Sequence, residues 1–200
     1  LGLLNARSVC NKTLELSNFI CDQDLDVCAI TETWLKGDVR DDVILHELVP
    51  AGYTVEHTPR NAHGGGIAFI HRDDFTATNC TNMKCSTFEH IICQFNTQPK
   101  LRLVLVYRPP SRSHTFANFI AELEDLLDSL VLSGGELCII GDFNVHVDDV
   151  DSREGKMMND LLNSFDFTQH VKQPTHSCGH TLDLVISRGT STLSPAVSVH

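Results

Sequence analysis

Leu137-Cys138-Ile139-Ile140-Gly141-Asp142-Phe143-Asn144 is an apolar run that stops abruptly in a glycine, a carboxylate and an amide. A short apolar run with this ending reads as a core strand whose end opens to solvent. The same form recurs on either side of it. Leu3-Leu4 ends in Asn5, Val27-Cys28-Ala29-Ile30-Thr31 in Glu32, Leu103-Val104-Leu105-Val106 in Tyr107-Arg108, and Val197-Ser198-Val199 in His200. Core strands present polar groups at a shared end, where loops face water. If these ends converge, one cleft holds carboxylates, amides, a phenol, a guanidinium and an imidazole. That inventory suits phosphate ester chemistry: carboxylates take a hard cation, cation and Arg meet phosphoryl charge, and an Asp acts on attacking water. Taken singly, Asn5 and Glu32 read as turn formers or helix caps, Asp142 as a turn residue and Tyr107 as an amphipathic rim residue. Repetition across five segments favours the functional reading.

The remaining apolar runs alternate with turn clusters. Strands are expected over residues 1–5, 26–31, 53–57, 66–71, 89–95, 101–107, 136–141, 181–187 and 196–200. The clearest helix begins near Thr115, because Phe116, Phe119, Ile120, Leu123, Leu126, Leu127 and Leu130 recur at intervals of three and four. Gly134-Gly135 stops it. Two more helices are expected, over residues 12–21 and 154–165, the latter with Met158, Leu161, Leu162 and Phe165 inward. So many strands with so few helices do not suit a plain doubly wound sheet. The expected class is α/β (α+β), a four-layer sandwich of two packed mixed β-sheets flanked by helices.

Two hundred residues with 42% hydrophobic content suit one domain with a substantial core. The chain starts and stops inside strand-like runs, so residues 1–200 read as a single domain cut from a longer polyprotein. No apolar run approaches a membrane span, and the first residues lack the basic region of a signal peptide. Of the eight cysteines, Cys28, Cys93 and Cys138 lie inside apolar runs and no CxxC pair occurs, which points to a reduced intracellular setting. The sequons at Asn11 and Asn79 then read as chance matches. A net charge of −11 disfavours binding nucleic acid by bulk electrostatics. A local basic patch remains available from Arg108 and Arg112, and from Arg7 and Lys12 beside Asn5.

Five motifs occur in order: Leu4-Asn5-Ala6-Arg7-Ser8, Thr31-Glu32-Thr33-Trp34, Tyr107-Arg108-Pro109-Pro110, Gly141-Asp142-Phe143-Asn144 and Thr181-Leu182-Asp183-Leu184-Val185. Together they resemble the apurinic-type endonuclease domain of non-LTR (LINE-type) retrotransposons, within the endonuclease/exonuclease/phosphatase superfamily. The resemblance spans essentially the whole chain. It implies that Glu32 holds a divalent metal, Mg2+ or Mn2+, with Asn5 supporting the site. It further implies that Asp142 orients or deprotonates the attacking water, that Asn144 fixes the phosphate and that Asp, and that Tyr107 contacts the scissile phosphate. His200, paired with Asp183, would stabilise phosphoryl oxygens, while Arg7, Arg108 and Arg112 would face phosphate or DNA. The implied product is a DNA nick with a free 3′-hydroxyl, used as primer by a reverse transcriptase domain of the same full-length chain, in the nucleus.

One position departs from the family's pattern. The family closes on Ser-Asp-His, and this chain has Ser198-Val199-His200, which removes a carboxylate from the cation's surroundings. Two other readings therefore stay open: a phosphoesterase of the same fold acting on a small molecule or lipid head group, and a catalytically impaired domain kept as an interaction module. Other signals carry less. His63-Gly64-Gly65-Gly66 resembles an esterase oxyanion loop, but no GxSxG elbow accompanies it, so the glycines read as a turn into a strand. The spacing of His176-Ser177-Cys178-Gly179-His180 matches no common zinc site. His146 and Asp148 read as strand or loop surface, and Trp34 as a packing residue under the Glu32 loop.

Overall fold

A computed structural model of the chain describes residues 1–200 except 61–63, 82, 111–113, 133, 150, 194 and 200. Its elements run β1 (Gly2–Asn5), α1 (Thr13–Asp22), β2 (Val27–Thr31), α2 (Val39–Leu48), β3 (Tyr53–Thr58), β4 (Ile67–Arg72) and β5 (Ala77–Asn79). There follow β6 (Glu89–Phe95), β7 (Leu101–Tyr107), α3 (Phe116–Val131), β8 (Glu136–Asp142), α4 (Arg153–Ser164), β9 (Phe167–Gln169) and β10 (Asp183–Arg188). The strands form a four-stranded sheet ordered β1-β2-β4-β3 and a six-stranded sheet ordered β5-β6-β7-β8-β10-β9. Both are mixed: β1 runs parallel to β2 and β7 parallel to β8, while the other pairs are antiparallel.

The alternation of side chains along β8 shows why the chain builds four layers. Successive residues of a strand point to opposite faces. Leu137 and Ile139 join the cluster under α3 and α4, with Phe119, Leu123, Leu126, Met158 and Leu161. Cys138 and Ile140 face the other way and join Val27, Ala29, Ile67 and Phe69 of the smaller sheet. The smaller sheet repeats the arrangement, with Cys28, Ile30 and Ile70 packed against Leu16 and Ile20 of α1 and Leu48 of α2. Each central strand is therefore buried on both faces and reads as an unbroken apolar run. Each fully buried Leu, Ile or Phe contributes about 2 kcal/mol of transfer free energy. The two sheets pack face to face with helices outside, as the sequence pattern predicts.

The three expected helices form within a residue or two of their expected bounds, and Thr115 caps α3 by accepting from Asn118 N at 3.2 Å. α2 is not foreseen, because the pattern of its inward face is blurred: Ile44, Leu45 and Leu48 pack on the core, but the charged Asp41 shares that face and the apolar Val39 and Val43 are exposed. Its start is set by polar chemistry, with Asp38 accepting from Arg40 N and Asp41 accepting from the backbone of Lys36 and Gly37. Strands β5 and β9, of three residues each, are too short to carry a pattern. The strand expected over residues 196–200 is a correction: described residues 195–199 form none, and β10 already has β8 and β9 on its two sides. All eight cysteines are free thiols. No helix among the described residues is long and apolar enough to cross a membrane.

Candidate active site

Register alone sets out one side of the cleft. In the larger sheet Glu89 lies opposite Tyr107, Tyr107 opposite Asp142, and Asp142 opposite Asp183. The row collects strand ends and strand beginnings, because β6 and β10 run antiparallel to their neighbours β7 and β8 and start where those strands finish. Gly141 allows Asp142 to reach this position. A Cβ there would sit 1.8 Å from the Val106 carbonyl oxygen, and its φ of 149° is one that L side chains rarely adopt.

The other side comes from the smaller sheet, where Asn5 ends β1 in register with Thr31, the residue before Glu32. Asn5 joins the two sheets: its Nδ2 donates to Glu32 Oε1 at 3.1 Å and to Asp142 Oδ2 at 3.0 Å. The Tyr107 hydroxyl donates to the same Glu32 oxygen at 3.1 Å. Asp142 Oδ1 accepts from the backbone amide of Asn144 at 3.1 Å. Glu32, Asn144 and Arg7 all lie in the left-handed backbone region, at φ 54°, 48° and 45°. Such conformations persist in non-glycine residues only where the surroundings fix them, and they cluster at functional sites.

Burial makes this an unusual place for acids. Asp142 is 6% exposed. Its pKa is pushed up to about 6, first by burial and then by the Asp183 charge, against the hydrogen bonds from Asn5 and Asn144 that favour the carboxylate. Burial likewise raises Asp183, whose backbone amide donates to Thr175 Oγ1 at 3.0 Å. Burial, followed by the Glu32 charge, raises the Tyr107 phenol, which therefore stays a donor at neutral pH.

The expected site residues thus fall into groups. Asn5, Glu32, Tyr107 and Asp142 meet in one hydrogen-bonded cluster, with Asp183 next to Asp142 in the sheet. Asn144, two residues on, turns its side chain away from the cluster to donate to Arg108 O at 2.8 Å. The Arg108 guanidinium is turned inward: it donates to Asn144 O at 2.9 Å and lies over the Phe116 and Phe119 rings, 5.1 and 5.0 Å from their centroids. Burial lowers its pKa. Arg7 is exposed beside the cluster, its backbone amide donating to Asn5 Oδ1 at 3.2 Å. His200 and Arg112 lie outside the described residues, as does His63.

Oxygen donors of this kind suit a hard cation. Among the described residues both hydrogen bonds to the Glu32 carboxylate fall on Oε1, which leaves the lone pairs of Oε2 for such an ion. The arrangement is two carboxylates joined by an amide, and no group of three or more His, Cys, Asp or Glu among the described residues is gathered as a metal cage. Two of the histidines set aside above stack on each other. The His146 and His180 rings stack 3.9 Å apart and 6° from parallel, so their nitrogen lone pairs do not converge, and His180 Nδ1 pairs with Asp148 Oδ2 at 3.1 Å.

One cleft residue escapes a search for polar groups after apolar runs. Glu89 opens its strand, and only the antiparallel pairing brings it to the same end. It accepts from Gly66 N at 2.7 Å and from Arg60 Nη1 at 3.0 Å. The readable signal is a charged residue just before an apolar run.

Comparison with known proteins agrees with this architecture. The endonuclease domain of TRAS1, a telomere-specific non-LTR retrotransposon, superposes with a TM-score of 0.69 at 15% identity, covering 92% of this chain and 82% of that one. A 3′-5′ exonuclease from Neisseria meningitidis gives 0.67 at 15% identity, covering 93% and 85%. An AP endonuclease from Leishmania major gives 0.65 at 14% identity, covering 93% and 78%. At these identities the likeness is one of fold. No curated protein sequence matches the chain. The sequence profile of the Endonuclease/Exonuclease/phosphatase family does match, over residues 2–200, the same stretch that builds both sheets and the cluster between them. The chain is a member of the endonuclease/exonuclease/phosphatase family.

Proposed function

We propose that the chain is a Mg2+-dependent DNA endonuclease that nicks one strand and leaves a 3′-hydroxyl. The observation that carries the reading is the Asn5 amide, which ties Glu32 of one sheet to Asp142 of the other and brings a cation-holding and a water-handling carboxylate together. Members of the family are hydrolytic nucleases and phosphatases, generally dependent on a divalent metal. DNA as substrate is supported by the likeness to the retrotransposon and AP endonucleases above and by the motifs in the sequence.

Glu32, supported by Asn5, would hold Mg2+ or Mn2+, which when bound supplies Lewis acidity and charge neutralisation at the phosphate. The remaining work falls to side chains. Asp142, with both carboxylate oxygens fixed by Asn5 and Asn144, orients the attacking water and takes its proton. A pKa of about 6 keeps it ionised at neutral pH while leaving it more basic than an ordinary Asp. Tyr107 keeps its proton, which it gives to Glu32 Oε1 in the free protein and would turn to the scissile phosphate when DNA binds. Asn144 fixes Asp142 through its backbone amide and contacts the phosphate, and His200 with Asp183 meets the phosphoryl oxygens. Exposed Arg7, with Arg112, supplies a basic patch on an acidic body, while Arg108, turned inward onto Asn144 O and the Phe116 and Phe119 rings, braces the loop behind Asp142 and does not face the DNA. In the element, the 3′-hydroxyl primes a reverse transcriptase domain of the same full-length chain, inside the nucleus.

The departure at Val199 supports a second reading, an impaired domain kept for interaction. Supercoiled plasmid and a soluble phosphate ester, each with Mg2+ or EDTA, separate the possibilities. Nicked circles with Mg2+ alone, extendable by a polymerase, are expected. Ester hydrolysis with intact plasmid would assign a small-molecule phosphoesterase. A folded protein silent on both would leave the interaction module.

A further inference from the structure

The loop that carries Glu32 is clamped from two sides. On one, Ser8 N donates to Glu32 O at 2.8 Å and Val9 N to Thr33 O at 3.1 Å. On the other, Thr33 N donates to Gly66 O at 2.9 Å and Trp34 N to Gly65 O at 2.8 Å. Glu32 and Trp34 both hold positive φ, so this backbone keeps its shape only while both clamps are in place. The Gly65-Gly66 clamp is itself held by Glu89, whose Oε2 accepts from Gly66 N at 2.7 Å. The packing there has no slack: a Cβ on Gly65 would lie 2.5 Å from Glu89 Oε1, and one on Gly66 2.5 Å from Thr33 Oγ1.

We propose that Glu89 is a positioning residue for Glu32: by pinning the Gly66 amide it fixes the carbonyls that hold Thr33 and Trp34, and so aims the Glu32 carboxylate. Glu89 is a poorer cation ligand than Glu32, because one oxygen holds Gly66 N and the other is ion-paired with the positive Arg60. What matters is the reach of its oxygen to Gly66 N, more than its charge. Glu89 also pairs across the sheet with Tyr107, whose hydroxyl meets the same Glu32 oxygen as Asn5, so a displaced Glu32 would lose both of its donors.

The inference rests on the assignment of Glu32 to the cation, and two near-isosteric variants test it. Glu89→Asp keeps the charge and draws the carboxylate back by one methylene. Glu89→Gln keeps the reach and an acceptor oxygen but loses the charge, and Arg60, partly exposed, can turn to solvent. Mn2+ binding to the metal-free protein is measured by electron paramagnetic resonance, alongside the Mg2+ concentration for half-maximal plasmid nicking. Glu89→Asp is expected to weaken Mn2+ and raise the Mg2+ requirement about tenfold, with little change in KM for DNA. Glu89→Gln and Arg60→Ala are expected to stay within about threefold of wild type. Equal Mn2+ binding in Glu89→Asp and wild type overturns the inference, as does a tenfold loss in Glu89→Gln, which keeps the test decisive if Glu89→Asp does not fold. A wild-type protein that binds no Mn2+ also overturns it. A wild type that binds Mn2+ with the expected pattern but leaves plasmid intact removes the endonuclease reading and leaves the positioning role standing.

Discussion

The two halves of the cleft are held by different means. Glu89, Tyr107, Asp142 and Asp183 are neighbours in a sheet, so their spacing follows from strand register. Asn5 ends a strand, but Glu32 and Arg7 sit just past strand ends, in left-handed backbone kept in shape by hydrogen bonds to other loops. A group on a sheet inherits its position from the whole core, and disturbing it means disturbing a ladder. A group on a strained loop depends on a few clamps and can move by itself. The side proposed to handle water is thus rigid by construction, and the side proposed to hold the cation is rigid only by support.

The sharpest way to break this comparison is to remove chemistry from the rigid side. Asp142→Asn should keep the fold and lower the nicking rate by roughly a hundred- to ten-thousand-fold, as loss of a general base does. A rate near wild type would remove Asp142 from the reaction.

Stability comes next. Gly141→Ala puts a Cβ onto the Val106 carbonyl between β7 and β8 and should cost about 4 kcal/mol in denaturant melts. Gly134→Ala, where a Cβ meets nothing within 4 Å, should stay within about 1 kcal/mol. Equal effects at the two positions would mean that register does not place Asp142.

On the supported side, Val199→Asp adds the carboxylate that the resemblance to a closing Ser-Asp-His implies. It should tighten Mn2+ and raise nicking at limiting Mg2+ by about tenfold. An unchanged metal requirement would show that two carboxylates suffice.

The smallest effect is a titration. In the metal-free protein Asp142 should lose its proton near pH 6, read from its carboxyl carbon by NMR. The shift is upward, so the folded protein binds a proton more tightly than the unfolded chain. The stability this adds is full below the unfolded value and fades as pH rises through about 6. Added Mg2+ favours the charged form and should move the midpoint down. A midpoint near the ordinary Asp value would mean that burial does not govern this carboxyl.

The sequence alone carries much of this. The runs 89–95 and 101–107 become β6 and β7 with those bounds, and the face of α3 is legible in its three- and four-residue spacing. Asn5, Glu32, Tyr107 and Asp142 could be chosen because each closes an apolar run, and those runs lie side by side. Where the reading failed, the cause is physical. The period of α2 is hidden because Asp41 sits on its inward face with Ile44, Leu45 and Leu48 while Val39 and Val43 point out, and its polar caps look like loop chemistry. The expected strand at residues 196–200 has the right alternation, but alternation does not supply a partner, and β10 already had two.

By itself, then, the sequence determined which segments enter the core and which polar groups stand where they leave it, because burial and side-chain periodicity are local properties of the chain. Only the tertiary structure decided which strands run against each other. That decision brings Glu89 and Asp183 in from the beginnings of strands, packs one sheet on the other so that the Asn5 amide spans them, and turns Arg108 inward onto Phe116 and Phe119. Strand direction and sheet packing depend on contacts between residues far apart in the chain, which no local pattern records.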